Sequence, residues 1–259
     1  MRSVRRLLRR KERQTARQFL AEGRQAVAEA LDTTYVRRLL VSDAAIQTHR
    51  DLLSVAARAG VACNRLPAED FAALAETVTP QGVLAVCDAV DVPLAEALSD
   101  GARLVVLCDQ VRDPGNLGTV IRCADAFGAD AVLVSGDSVD LYNSKTVRAS
   151  TGSLFHLPIS TGVELADAVA LARRSGLATY GAHGGGRWTV DDLAASGELA
   201  KPILWVFGNE AWGLPEAHAA LLDRLVALPI YGRAESLNLA TAAAVLLYAT
   251  ATAQRARIG

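Results

Sequence analysis

Chemistry-bearing side chains are concentrated in three short segments of this 259-residue chain, each placed where an apolar run gives out. The first reads Asp113-Pro-Gly-Asn-Leu-Gly-Thr-Val-Ile-Arg and leads from an apolar run into a helix with Val120, Ile121, Ala124 and Phe127 on one side. Pro114, Gly115 and Gly118 permit a tight turn, and a helix N-terminus there would offer unpaired N–H groups to an anion. Arg122, one turn further on, is placed to reach a phosphate beside that turn. A capped strand–helix turn with a surface arginine would use the same residues. In the second segment, Leu204-Trp-Val-Phe-Gly-Asn-Glu, an apolar run breaks at Gly208 into the polar pair Asn209 and Glu210. Polar groups at the end of a buried strand need partners, from a ligand or from the backbone. The third segment, Ala227-Leu-Pro-Ile-Tyr-Gly-Arg-Ala-Glu-Ser-Leu-Asn, passes through a polar loop into an Ala-rich helix. Ser236 is read as its N-cap, with Asn238 in the first turn.

The elements that must position these segments follow from hydrophobic periodicity. Apolar runs at 103–108, 131–134, 177–182, 203–207 and 225–228 alternate with helical stretches. Such alternation implies crossover connections and a largely parallel sheet, with ligands at the carboxyl ends of the strands. Upstream, residues 5–31 read as helix-prone, followed by strands at 36–41, 61–65 and 82–88 and helices at 49–59 and 68–76. A Pro and several acidic residues at 91–100 mark a linker. The reading is therefore α/β, with a small N-terminal unit (1–98) and a larger C-terminal unit (99–259).

Bulk composition narrows the partners. Residues 1–24 hold nine Arg or Lys against two Glu, a net of +7, while the whole chain carries −1. A basic arm on an acidic body suits a polyanion held at one end, though it also suits a solvated helix face. Cys63, Cys87, Cys108 and Cys123 show neither metal-ligand spacing nor a disulfide framework, so no metal is expected. The uncharged stretch after Glu235 is broken by Asn238 and several threonines, which favours a packed helix over a membrane span. A cytoplasmic protein is expected. His183-Gly-Gly-Gly looks like an esterase oxyanion loop, but the chain has no Gly-x-Ser-x-Gly nucleophile elbow, and no P-loop either.

Taken together, 113–122, 207–214 and 228–239 resemble, in order and spacing, the three motifs of the SpoU/TrmH class of RNA 2′-O-ribose methyltransferases. The stretch Arg148-Ala-Ser-Thr-Gly-Ser-Leu-Phe-His-Leu-Pro resembles the segment linking the first two motifs. Residues 19–30 and 79–86 resemble a small ribosomal-protein-like RNA-binding domain. The resemblance covers about 103–255 for the catalytic part and implies a C-terminal domain closed by a deep trefoil knot, a topology otherwise almost absent from proteins. It implies S-adenosyl-L-methionine as cofactor, at Phe207, Gly208, Asn209, Leu228, Ile230, Leu237 and Asn238. Gly208 is expected to leave room for the adenosine, and Leu228 and Leu237 to sandwich its apolar face.

By the same resemblance Asn116, Arg122, Glu210, Ser236 and Asn238 form the catalytic set. Arg122 is read as a phosphate clamp, because a guanidinium does not readily give up its proton. Glu210 either orients the substrate or supports the site, and Asn116 positions the ribose. Arg5, Arg6, Arg9, Arg10, Lys11, Arg24 and Arg148 are the candidates for RNA phosphate contacts. A homodimer is implied, through 117–127 and the last helix. Trp212 is bulkier than the family's usual residue and either stacks on a base or packs. The substrate implied is ribosomal RNA, with transfer RNA as the alternative. The rival class is a knot protein that binds RNA without methylating it; the presence of Asn116, Arg122, Glu210 and Asn238 speaks against it.

Overall fold

The computed structural model describes residues 2–256 and resolves into two compact units. The first comprises 2–90 together with Asp140–His156, and the second Asp91–Val139 together with 157–256. This partition differs from a simple division at 98. The acidic stretch expected as a linker belongs to the second unit, where Val92 N–H donates to Ile159 O at 2.9 Å and Leu94–Ala97 is a short helix.

In the first unit four strands, β1 (Gln18–Glu22), β2 (Val36–Ser42), β3 (Ala62–Leu66) and β4 (Val83–Asp88), lie in the order β1-β4-β2-β3. β4 runs antiparallel to both β1 and β2, and β2 is parallel to β3. The region that reads as one long helix is in fact two short helices, Arg2–Arg6 and Arg10–Ala16, then β1, then the helix Arg24–Leu31. Tertiary contact overrides helical pattern at β1. Phe19 is fully buried, with its ring stacked on Tyr142 (4.5 Å between centroids) and Phe155 (6.0 Å), both supplied by the distant segment 140–156.

The second unit is built on seven parallel strands. They are β5 (Leu104–Cys108), β6 (Ala131–Ser135), β7 (Ile159–Val163), β8 (Ala178–Ala182), β9 (Trp188–Thr189), β10 (Ile203–Phe207) and β11 (Arg224–Ala227), in the order β7-β6-β5-β10-β8-β11-β9. β5, β6 and β10 are buried along their whole length, which explains why they read as unbroken apolar runs. β7 and β9 add two strands that the apolar runs do not indicate. β7, Ile-Ser-Thr-Gly-Val, is interrupted by polar residues, and β9 has two residues.

The chain goes outward from β5 through β6 to β7, then returns so that β10 lies between β5 and β8. The adjacent carboxyl ends of β5 and β10 form the switch point at which open α/β sheets bind ligands. The last helix, Leu239–Ala256, packs on the helix Pro114–Ala126. Thr250 accepts the indole N–H of buried Trp205 at 2.9 Å, and the Gln254 amide donates to Arg103 O and Lys201 O. The small residues Ala240, Ala243 and Ala251 lie on this helix's buried side. Among the described residues no helix is long and apolar enough to cross a membrane.

Candidate active site

The segment between β5 and the helix Pro114–Ala126 is organised by two carboxylates. Asp113 is the helix N-cap, its Oδ1 accepting Asn116 N–H at 2.8 Å, with Pro114 in the first turn where no N–H is needed. Glu210, from the loop after β10, accepts Arg112 N–H at 3.1 Å, and at its other oxygen Asp113 N–H and the Asn116 amide, both at 3.0 Å. The N–H groups just ahead of the helix and the Asn116 amide thus hold a carboxylate of the protein itself, that of Glu210.

The third segment completes this chain of hydrogen bonds. Asn238 donates from Nδ2 to Asn116 Oδ1 at 2.9 Å, while its own Oδ1 accepts Ala240 N–H (2.9 Å) and Thr241 N–H (3.3 Å). Asn238, not Ser236, thus caps the final helix, which begins at Leu239. An amide side chain reaches the first free N–H groups of a helix from the cap position; Ser236 lies two residues too early. Glu210, Asn116 and Asn238, drawn from three separate segments, form one hydrogen-bonded series.

Glu210 is held in its ionised form. Burial works against the charge, but hydrogen bonds from the Asn116 amide and from the backbone N–H groups of Arg112, Glu210 and Asp113 outweigh it, and its pKa lies below the usual value. With its oxygens committed to three donors it is a structural acceptor rather than a proton acceptor.

Beside this series lies a cavity of about 580 Å³ at the carboxyl ends of β8, β10 and β11. Its wall includes Phe207, Gly208, Asn209, Leu228, Ile230 and Leu237, six of the seven positions expected to hold a cofactor, together with Glu210 and Ser236. Asn238 is not in the wall; it acts on Asn116 instead. Leu228, Ile230, Leu237, Leu239 and Leu246 make apolar surface, and the volume is that of an ordinary small-molecule site. Apolar walls and a few polar side chains fit an adenosine bearing a zwitterionic tail.

Two residues of the cavity wall also have work within their own loop. A Cβ at Gly208 would lie 2.5–2.6 Å from the backbone of Gly213 and Leu214, so glycine is required there by the return of its own loop. That return is closed by reciprocal hydrogen bonds between Asn209 and Gly213, each 2.9 Å. Asn209 is buried with its amide donating to Gln110 O at 2.7 Å and its Oδ1 accepting Ala211 N–H at 2.8 Å, so it ties the loop after β10 to that after β5. Trp212, at the tip of the same turn, is 57% exposed and does not pack.

Arg122 is exposed on the helix Pro114–Ala126, outside the cavity wall. Its neighbours Leu117, Val120, Ile121 and Ala124 are fully buried, so the apolar side of that helix is spent on the chain's own core. The wall also contains residues that periodicity and motif matching do not assign, His183 and Glu235 among them. For His183 the pointer is its place at the end of an expected strand. Among the described residues, no three His, Cys, Asp or Glu side chains come together as a metal site.

The basic residues expected to contact RNA divide into two groups. Arg5, Arg9, Arg10 and Lys11 are exposed. Arg6 is paired with Glu12, Arg24 with Asp51 through two bonds of 3.0 and 2.5 Å, and Arg148 with Glu22 at 3.3 Å. Arg13 is buried against Asp140.

A parallel sheet with a small-molecule cavity at the carboxyl ends of β8, β10 and β11, and the Glu210–Asn116–Asn238 series beside it, is the arrangement of a ligand-binding α/β protein. Residues 103–248 match the model of the SpoU rRNA methylase family, and 1–85 that of the MRM3-like substrate-binding domain. The chain belongs to the SpoU rRNA methylase family.

It is 38% identical over 239 residues to the 23S rRNA (guanosine(2553)-2′-O)-methyltransferase RlmP of Bacillus subtilis, covering 92% of this chain and 90% of that one. The solved SpoU methyltransferase AviRb of Streptomyces viridochromogenes superposes with a TM-score of 0.84 at 32% identity, covering 99% of this chain and 97% of that chain. An AdoMet-bound rRNA methyltransferase from Sinorhizobium meliloti gives 0.79 at 30% identity, over 96% and 92% of the two chains.

Proposed function

We infer that this chain transfers a methyl group from S-adenosylmethionine to a ribose 2′-hydroxyl of ribosomal RNA. The observation that carries the reading is the Glu210–Asn116–Asn238 series beside the cavity. The bound cofactor supplies an electrophilic methyl; the protein's task is to hold a hydroxyl in line with it. Asn116 keeps one amide proton and one carbonyl lone pair beyond those used by Glu210 and Asn238, and these orient the ribose. Arg122 clamps an adjacent phosphate. Ser236, in the cavity wall, contributes to the ribose contact.

In this reading the first unit holds the RNA and the second carries out transfer, with the trefoil knot of the family resemblance in the latter. Arg5, Arg9, Arg10 and Lys11 supply phosphate contacts that fix register without reading sequence. The protein works as a homodimer in the cytoplasm. Val245 and Tyr248, 43% and 61% exposed on a helix whose other side is buried, mark the dimer face better than Leu117 or Ile121, which the monomer already covers.

The reading is tested by incubating the protein with labelled S-adenosylmethionine and separate ribosomal and transfer RNA pools. Label should enter ribosomal RNA at a position resistant to alkaline cleavage, and Arg122→Ala should abolish it. Label in transfer RNA alone would move the substrate assignment, and alkali-sensitive label would overturn ribose methylation.

A further inference from the structure

Among the described residues, the wall of the cavity holds a single imidazole. Glu210 and Glu235 are its acids, no Lys or Arg lines it, and His183 stands at the end of β8. Burying a carboxylate without a donor is costly, and charge-assisted hydrogen bonds offset that cost best. S-adenosylmethionine brings such a carboxylate on its amino-acid end, whereas its adenosine end has none.

His183 is set for that role by its own loop. Its N–H donates to Val226 O at 2.9 Å, extending the β8–β11 pairing by one residue. Its Nδ1 accepts the Gly185 N–H at 3.1 Å, so in the neutral ring the proton resides on Nε2. Gly186 donates to His183 O at 2.9 Å, and a Cβ there would lie 2.6 Å from Leu225 O, so the loop is pressed onto β11. The continuation of β11 through Leu228 and Ile230 forms another part of the same wall. With Nδ1 turned to the loop, Nε2–H is the donor left for a ligand.

We propose that His183 is a cofactor-binding residue that holds the α-carboxylate of the methionine moiety through Nε2–H. The proposal rests on the cofactor reading above. It assigns a use to the His-Gly-Gly-Gly segment, whose glycines let the backbone double back to fix the ring.

The test compares two ligands, S-adenosylhomocysteine and 5′-methylthioadenosine, which share the thioether adenosine but differ in the amino-acid end. Binding is measured by calorimetry on the full chain. His183→Asn keeps an acceptor near the position of Nδ1 but lacks the far donor. It should weaken S-adenosylhomocysteine roughly tenfold and leave 5′-methylthioadenosine within about twofold. His183→Gln, whose amide nitrogen reaches the position of Nε2, should recover most of the loss. Equal weakening of both ligands would mean that the ring supports the wall or the adenosine, and no weakening of either would remove it from the site; each overturns the proposal. If the unaltered protein binds neither ligand, the cofactor reading itself fails, a result distinct from both.

Discussion

The loops at the switch point and the basic residues of the first unit both look, from their sequence, like places that hold anions, and the structure treats them differently. At the switch point every expected polar residue except Arg122 is either in the cavity wall or in the hydrogen-bonded series beside it. In the first unit Arg6, Arg24 and Arg148 are matched by carboxylates, whereas the other expected RNA contacts, Arg5, Arg9, Arg10 and Lys11, are exposed. The difference lies in what each role requires. A tight turn between a buried strand and a helix demands particular residues at fixed offsets, and those offsets are visible in a sequence. A surface charge tolerates any partner, at any separation in sequence: Asp51 lies 27 residues from Arg24, and Glu22 lies 126 from Arg148.

The largest effect expected at the switch point follows removal of its central acceptor. Glu210→Ala leaves two backbone N–H groups and the Asn116 amide without their partner. Methyl transfer should fall at least about a hundredfold, since a misplacement of ~1 Å suffices for that. Affinity for S-adenosylhomocysteine should fall much less, and a parallel loss of both would show that Glu210 serves the cavity instead. Its depressed pKa fixes a pH signature as well. Stability contributed by this carboxylate is fully present above the ordinary Glu value, roughly 4.3, and is lost as the pH falls through the lower folded-state value. The stability gap between wild type and Glu210→Gln should therefore be constant from pH 7 to about 5 and close only below about 4.3.

Next in size is Gly208→Ala. The added methyl meets backbone rather than a movable side chain, so a cost of about 1–3 kcal/mol is expected. For a chain of this size that lowers the melting midpoint by several degrees. Weakened cofactor binding with an unchanged midpoint would instead mean that the glycine clears space for ligand.

How far the sequence can be read follows the same division. β5, β6 and β10 are legible because buried parallel strands are continuous apolar runs. β1 is not, because Gln-Phe-Leu-Ala-Glu is bracketed by helix formers and becomes a strand only by pairing with β4 and packing under Tyr142 and Phe155. Placement of 140–156 with the first unit is likewise a long-range outcome with no local cue. In the site, the positions of Asn116, Glu210 and Gly208 are legible, but their reasons are not. The amide that bonds Glu210 lies 94 residues away, and the obstacle to a side chain at Gly208 is created by how its loop closes. His183 is hidden because its motif points to a different chemistry.

The smallest effects separate the two groups of basic residues. Replacing Arg9, Arg10 and Lys11 together by Ala should lower RNA affinity at moderate salt. It should also reduce the slope of log K against log salt by roughly 0.7–0.9 for each phosphate no longer neutralised. Arg24→Gln should do less, because this guanidinium is already engaged with Asp51. The pair is exposed, so its loss should barely change stability. Asp51 makes the case sharper. Its pKa is drawn down to about 2, foremost by the hydrogen bond from Arg24, so the pair is intact throughout the neutral range. Asp51→Asn should therefore release Arg24 and, if that arginine has any reach toward RNA, raise affinity and steepen the salt dependence. Unchanged RNA binding in Asp51→Asn, with a reduced slope in the triple variant, would confine the phosphate contacts to the exposed group. A larger loss from Arg24→Gln than from the triple variant would mean that the carboxylate pairing is exchanged for phosphate when RNA arrives, and the contrast between the two groups would not survive.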